Sequence, residues 1–286
     1  MQVSDAMTPS SELVTVSLPG TRDDVLSYLQ EYGFSSVPVV KEIDGTDVYR
    51  GIVSRDDLIE RPEENQLALL MHEVQTIEPD AELTAAAERV LTDGARRIPV
   101  VKGDEDAPTL EGIVTVTDLV RAIARGEING DAVVETLASD RINTTYVETP
   151  LPIVERELSH ANVPYAIVLG RDGRMAGIVT EVDIIEVAEV VEGEAATGDS
   201  IANQDSEWAW EGIKAVGNRY LPTRNVEIPN GPVEEFMTGD VVTVSKQRTA
   251  QEAAQAMISN DVEQIPVVSG GELIGIVRDV DLLRAI

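Results

Sequence analysis

Residues 96–120 read RRIPVVKGDEDAPTLEGIVTVTDLV. An apolar phrase around Pro99 is followed by a polar stretch, then Gly112-Ile113-Val114, then a hydroxyl at Thr115 and a carboxylate at Asp118. The same order occurs three more times. SSVPVV at 35–40 precedes GIVSRDDL at 51–58, NVPYAIV at 162–168 precedes GIVTEVDI at 177–184, and EQIPVV at 263–268 precedes GIVRDVDL at 275–282. From Pro38 to Asp57, Pro99 to Asp118 and Pro164 to Asp183 the separation is 19 residues each time, and from Pro266 to Asp281 it is 15. Chance does not produce that agreement; the chain is built from four copies of one unit, the last with a shortened hairpin.

The second copy shows what a unit folds into. In LTAAAERVLTDG the spacing puts Leu83, Ala86, Ala87, Val90 and Leu91 on one helical face, and Gly94 ends the helix. RIPVV reads as a short buried strand, KGDEDAPT as a turn, LEGIV as a second strand, and TVTDLVRAIARG as a helix stopped by Gly126. QTIEPDAEL supplies a further extended piece ahead of the first helix. The unit is β-α-β-β-α, and it is too small to bury a good core alone. Two units packed sheet to sheet solve that problem, so the expected class is α/β (α+β).

Composition sets outer bounds. At 286 residues there is room for two ordinary domains. The net charge of −30 is extreme, yet 43% of residues are hydrophobic, so the chain folds and wears an acidic surface. Lysine occurs only at 41, 102, 214 and 246. An acid-rich, lysine-poor surface suits cytoplasm at very high salt, where screening removes self-repulsion; a halophilic source, archaeal for a chain of this kind, is the expectation. There is no cysteine, and the two histidines, His72 and His160, stand in different halves of the chain. Disulfides, a Cys/His zinc cluster and a Ser-His-Asp centre are therefore not expected. No apolar run reaches the length of a membrane span, and MQVSDAMTPS has no signal-peptide pattern. Diffuse acidity also argues against nonspecific nucleic-acid binding, which needs clustered cations. The sequence predicts a cytoplasmic protein and no membrane association.

Two readings of the hydroxyl–carboxylate pair are open. In Ser54–Asp57, Thr115–Asp118 and Thr180–Asp183 the hydroxyl is placed to cap a helix while the acid reaches back, although Glu or Gln is the usual partner there. The same helix tip offers unpaired amides and partial positive charge to a phosphate. The two readings are compatible.

The repeat resembles the CBS domain, which pairs into Bateman modules. MTP at 7–9, MTG at 237–239, the four proline phrases and the GIVSRDD, GIVTVTD, GIVTEVD and GIVRDVD stretches carry the resemblance over nearly the whole chain. Four repeats also make up the gamma subunits of AMP-activated kinase. The resemblance implies two pseudo-twofold Bateman modules, residues 1 to about 128 and about 131 to 286. It also implies adenosine-containing ligands in the clefts: AMP, ADP or ATP, or S-adenosylmethionine, with magnesium only where ATP is bound. It assigns ribose hydroxyls to Asp57, Asp118 and Asp183, phosphate to Ser54, Thr115 and Thr180, and an adenine slot to the proline strands at Val37, Ile98 and Val163. Arg96 and Arg97 favour the second repeat, since forked guanidinium donors suit phosphate; surface salt bridging is the competing role. In the fourth repeat Arg278 replaces the hydroxyl, and either binds phosphate or fills an altered site through Asp281.

The repeats are read as 1–64, 65–128, 131–192 and 232–286, with an insertion at 193–231 that stretches the last aspartate-to-aspartate step to 98 residues. Its first half is small and polar, like a linker. Its second half holds Trp208, Trp210, Lys214, Arg219, Tyr220 and Arg224, a cluster suited either to clamping the second module or to docking a partner. The expected function is a non-catalytic sensor of adenosine ligands that signals by shape or association, with a homodimer as one form. The alternative is an interaction protein on a kinase, a transporter or the ribosome, its nucleotide structural. No Walker loop or nucleophile–base pair supports an enzyme.

Overall fold

The computed structural model describes residues 1–32, 36–43, 45–54, 57–58, 61, 64–104, 107–192 and 224–286. In the first repeat, β1 (Thr8–Pro9) and β2 (Val16–Ser17) precede α1 (Arg22–Tyr32) and the hairpin of β3 (Ser36–Ile43) and β4 (Thr46–Ser54). The second repeat runs α2 (Leu67–Leu70), α3 (Leu83–Asp93), β5 (Arg97–Lys102), β6 (Thr109–Thr115) and α4 (Val116–Ala124). The third runs α5 (Val134–Leu137), β7 (Thr144–Tyr146), α6 (Leu151–Ala161), β8 (Tyr165–Leu169), β9 (Met175–Thr180) and α7 (Glu181–Val187). An antiparallel ribbon of β10 (Glu189–Glu192) and β11 (Arg224–Glu227) follows. The fourth repeat contributes β12 (Val244–Ser245), α8 (Ala250–Asn260), β13 (Gln264–Ser269), β14 (Glu272–Arg278) and α9 (Asp279–Leu282).

The α3 helix follows its sequence with one exception. Leu83, Ala86, Ala87 and Val90 are buried, and Gly94 takes the left-handed conformation (φ 71°), its N–H donating to the Val90 carbonyl at 3.0 Å. Leu91 is 41% exposed rather than on the buried face. Eight residues on from Leu83 the helix has turned roughly 80° away, past the edge of a narrow stripe. The α4 helix is buried on nearly all sides because it also packs against α8, where Gln255 Nε2 donates to the Ala124 carbonyl at 2.9 Å.

Repeats one and two do not pack as separate sheets. β4 and β6 pair antiparallel through Val48 and Thr109, giving one six-stranded sheet in the order β1-β6-β4-β3-β2, with β5 on β6. Each hairpin edge thereby satisfies backbone groups that a lone unit leaves open.

The glycines of the first three Gly-Ile-Val phrases have a specific cause. The segment leading into one repeat crosses the hairpin of its partner. Met71-His72 bridges β4 at Ile52, and β1 pairs with β6 through Thr8 and Ile113. Thr238 bridges Ile178, and Ser139 bridges Ile276. A Cβ on Gly51 would stand 2.7 Å from the His72 carbonyl oxygen, and one on Gly177 would stand 2.8 Å from that of Thr238; at Gly112 it would strike the Thr8 carbonyl. Real side chains do not tolerate such distances, so these three positions admit only glycine. The crossings are reciprocal, one with two and three with four, which is the pseudo-twofold pairing that the resemblance implies.

The chain divides into two compact units, one of Met1–Ala138, Ser245–Ile265 and Val277–Ile286, the other of Ser139–Val244 and Pro266–Ile276. In the first unit, Val25 and Leu29 of α1 pack on Val37, Val39 and Val53 of the hairpin, with Leu67 and Leu70. In the second, Leu151, Val154 and Leu158 of α6 cover Ala166, Val168 and Val179, and Tyr165, Ile167 and Ile178 join Ile276 of the fourth repeat. The shortened fourth hairpin turns through Gly270 and Gly271, both at positive φ, as a two-residue turn requires.

Candidate ligand-binding cleft

All four repeats form the same cap. Oδ2 of Asp57 accepts from the N–H (2.8 Å) and hydroxyl (2.6 Å) of Ser54. Asp118 does so with Thr115 at 3.0 and 2.7 Å, and Asp183 with Thr180 at 2.7 and 2.7 Å. Asp281 accepts from the Arg278 N–H at 3.1 Å and its Nε at 3.1 Å. The shorter Asp thus closes the box that Glu usually closes. One carboxylate oxygen is spent, and the repeats differ in what holds the other.

For Asp57, Oδ1 lies 3.0 Å from Nδ1 of His72 and 3.7 Å from Arg61. For Asp118 it accepts from Arg121 at 2.8 Å. For Asp281 it meets Arg278 at 3.3 Å and Arg284 at 3.4 Å, with the residue 1% exposed. Arg278 thus clasps its own aspartate where the other repeats have a hydroxyl. Only for Asp183, half-buried at the start of α7, is the second oxygen without a partner among the described residues.

A cleft of about 770 Å³ opens in the first unit, a size suited to a small organic ligand. Ser54 and Asp57 of repeat one line it together with Arg96, Arg97 and Thr115 of repeat two. Two expected pieces are elsewhere. Val37 and Ile98, each 1% exposed, are core, because strand alternation that points Ser36 and Arg97 at the cleft turns their neighbours away. The apolar lining comes instead from Ile52, Val74, Ala95 and Val116. Asp118, 8% exposed and held by Arg121, is not on the cleft wall.

The two arginines are engaged differently. Arg97 donates to Ser36 Oγ at 3.1 Å, joining the two repeats. Arg96 reaches the fourth repeat: its Nη2 lies 2.5 Å from Asp279 Oδ2 and 3.1 Å from Glu263 Oε2. Burial of Arg96 works against its charge, but the hydrogen bond and charge of Asp279, with Glu263, outweigh it and raise the pKa above the ordinary guanidinium value. His72 and Glu263 were absent from the sequence expectation, yet the repeat alignment marks both. His72 follows Met71 as Thr8 follows Met7, and Glu263 stands three residues before Pro266 as Arg96 stands before Pro99.

In the second unit, Val163 is half-buried against the Tyr165 and Ile167 cluster. A cavity of about 530 Å³ there is bounded by Thr144, Thr149, Glu157 and Arg171, and none of the expected site residues lines it. Trp208, Trp210, Lys214, Arg219 and Tyr220 lie outside the described residues; Arg224 begins β11, its backbone opposite Glu192. Among the described residues no group of three or more His, Cys, Asp or Glu is placed to hold a metal, and no helix is long and apolar enough to cross a membrane.

The solved structure of an uncharacterized conserved protein from Pyrococcus horikoshii matches with a TM-score of 0.67 and 28% identity, covering all of both chains. Protein MJ1225 of Methanocaldococcus jannaschii, described as a candidate archaeal homologue of γ-AMPK, matches with a TM-score of 0.64 and 23% identity over 99% of each chain. Uncharacterized protein MJ1404 of the same organism is 25% identical over 284 residues; that match takes in 99% of this chain and 61% of the relative. The CBS domain profile matches residues 3–64, 68–125, 134–189 and 233–286. With those four matches covering most of its length, the chain belongs to the CBS-domain family.

Proposed function

We propose that the chain is a non-catalytic regulatory protein that holds an adenosine-containing ligand between its first two repeats and signals by a change of conformation or association. What supports this reading is the gathering of Ser54, Asp57, Arg97 and Thr115 on one 770 Å³ cleft that also offers an apolar patch of Ile52, Val74, Ala95 and Val116. Asp57 accepts from the ribose, Arg97 and the hydroxyls receive the phosphate, and adenine lies against Ile52, Val74 and Val116. AMP, ADP, ATP and S-adenosylmethionine share the adenosine group such a cleft reads. Titration calorimetry of the four compounds in molar potassium chloride tests the reading. Saturable binding of at least one is expected; no heat from any of them at millimolar concentration would sink it.

A further inference from the structure

Repeat four reaches into a cleft that belongs to repeats one and two. Arg96 is held there by two carboxylates: Nη1 and Nη2 face Oδ1 and Oδ2 of Asp279 at 3.4 and 2.5 Å, and Nη2 also faces Glu263 at 3.1 Å. Asp279 is 5% exposed, and its remaining short contact is its acceptance of the Val280 N–H at 2.7 Å. The Asp279 N–H donates to the Glu263 carbonyl at 2.8 Å, so the backbones that carry the two acids are tied together. Glu263 itself lines the cleft beside Arg96.

We propose that Glu263 and Asp279 are specificity determinants of this cleft, withholding Arg96 so that an anionic ligand must displace the fourth repeat's carboxylates to reach it. The proposal rests on the reading that a phosphate-bearing ligand enters here. Both terminal nitrogens of Arg96 are committed, and a phosphate that recruits them leaves Asp279 buried without its cation, an arrangement that opposes displacement. The cleft therefore disfavours added negative charge, and by linkage an anion that does bind loosens the start of α9.

Calorimetry at fixed ionic strength, with AMP and inorganic pyrophosphate as separate probes, tests this on the full chain. Asp279→Asn is expected to tighten both about tenfold, the low end for a charge-assisted hydrogen bond. Glu263→Gln, at an exposed acid, is expected to tighten them about threefold. On an Arg96→Gln background neither change has an effect. Weaker or unchanged binding in Asp279→Asn overturns the proposal, as does an equal gain in the Arg96→Gln background, which would make the acids a diffuse charge only. If circular dichroism shows Asp279→Asn unfolded, Glu263→Gln with and without Arg96→Gln decides alone. Pyrophosphate following this pattern while AMP fails to bind would retire the adenosine reading and keep the proposal. No binding of either probe to any variant removes both.

Discussion

Exchanging the roles of two equivalent aspartates is the sharpest test of the cleft. Asp57 and Asp118 occupy the same position of neighbouring repeats, and sequence alone favours Asp118 because Arg96 and Arg97 precede its hairpin. The geometry reverses that order. Asp57 stands on the cleft wall, whereas Asp118 is turned to Arg121. Since Oδ2 of Asp57 is spent on Ser54, a ribose hydroxyl would use Oδ1, sharing it with His72. One charge-assisted bond is worth about 1.5 kcal/mol at the lower end, or about tenfold in affinity. Asp57→Ala is therefore expected to weaken AMP about tenfold. Asp118→Ala removes a capping box and costs about 1 kcal/mol of stability, while AMP affinity changes less than about threefold, the scale of a surface perturbation. Titration calorimetry reads the affinities and urea melts the stabilities. Should Asp118→Ala lose as much affinity as Asp57→Ala, the ribose acceptor has been misplaced.

Three further outcomes follow from particular contacts. Gly177→Ala forces a Cβ onto the Thr238 carbonyl and is expected to destabilise by about 1–3 kcal/mol, whereas Gly239→Ala has open space and is expected to be neutral; equal melting temperatures for the two would refute the crossing. The Tyr49 hydroxyl is buried with no hydrogen-bond partner among the described residues, so Tyr49→Phe is expected to stabilise by about 1 kcal/mol. Burial, with the nearby Glu73 charge, raises the Tyr49 pKa, so the folded state keeps a proton that the unfolded chain releases near pH ~10. Stability therefore falls as pH rises past that point, and Tyr49→Phe should flatten the fall; a steeper one would contradict the assignment. With a net charge of −30, the melting temperature should climb as potassium chloride rises from 0.1 M to 1 M, roughly the range over which the screening length shrinks from about 10 to 3 Å, and a flat profile would remove the high-salt reading.

Repetition made the fold legible. The recurring Pro-to-Asp step, 19 residues in three repeats and 15 in the fourth, located each hairpin and each helix cap without reference to propensity, and the caps formed with Asp because the reach from the third helical residue is short enough. What the sequence concealed is which side chains face the cleft. Val37 and Ile98 belong to the phrase that marks the site, yet alternation along the strand gives their side chains to the core. On α3 the buried stripe ends at Val90, and Leu91 lies past its edge, 41% exposed. The Arg96–Asp279 pair joins residues 183 apart, and no local pattern encodes it. His72 and Glu263 carried a signal only through comparison between repeats, as the residues that break an equivalence.

Those breaks explain why the cleft is suited to reporting. Four identical units would give four identical tips, each closed by its own cap and blind to its neighbour. Here the second repeat places three residues against other repeats. His72 of the second rests on Asp57 of the first, Arg97 of the second on Ser36 of the first, and Arg96 of the second on Asp279 of the fourth. A ligand that competes for Asp57 or draws on either arginine must change contacts that hold repeats to one another. Binding free energy is then spent on the arrangement of repeats rather than on chemistry at the ligand, and only a difference in affinity between arrangements can shift their populations. The same sharing explains why a single repeat cannot serve: half of each contact lies in a different copy of the unit.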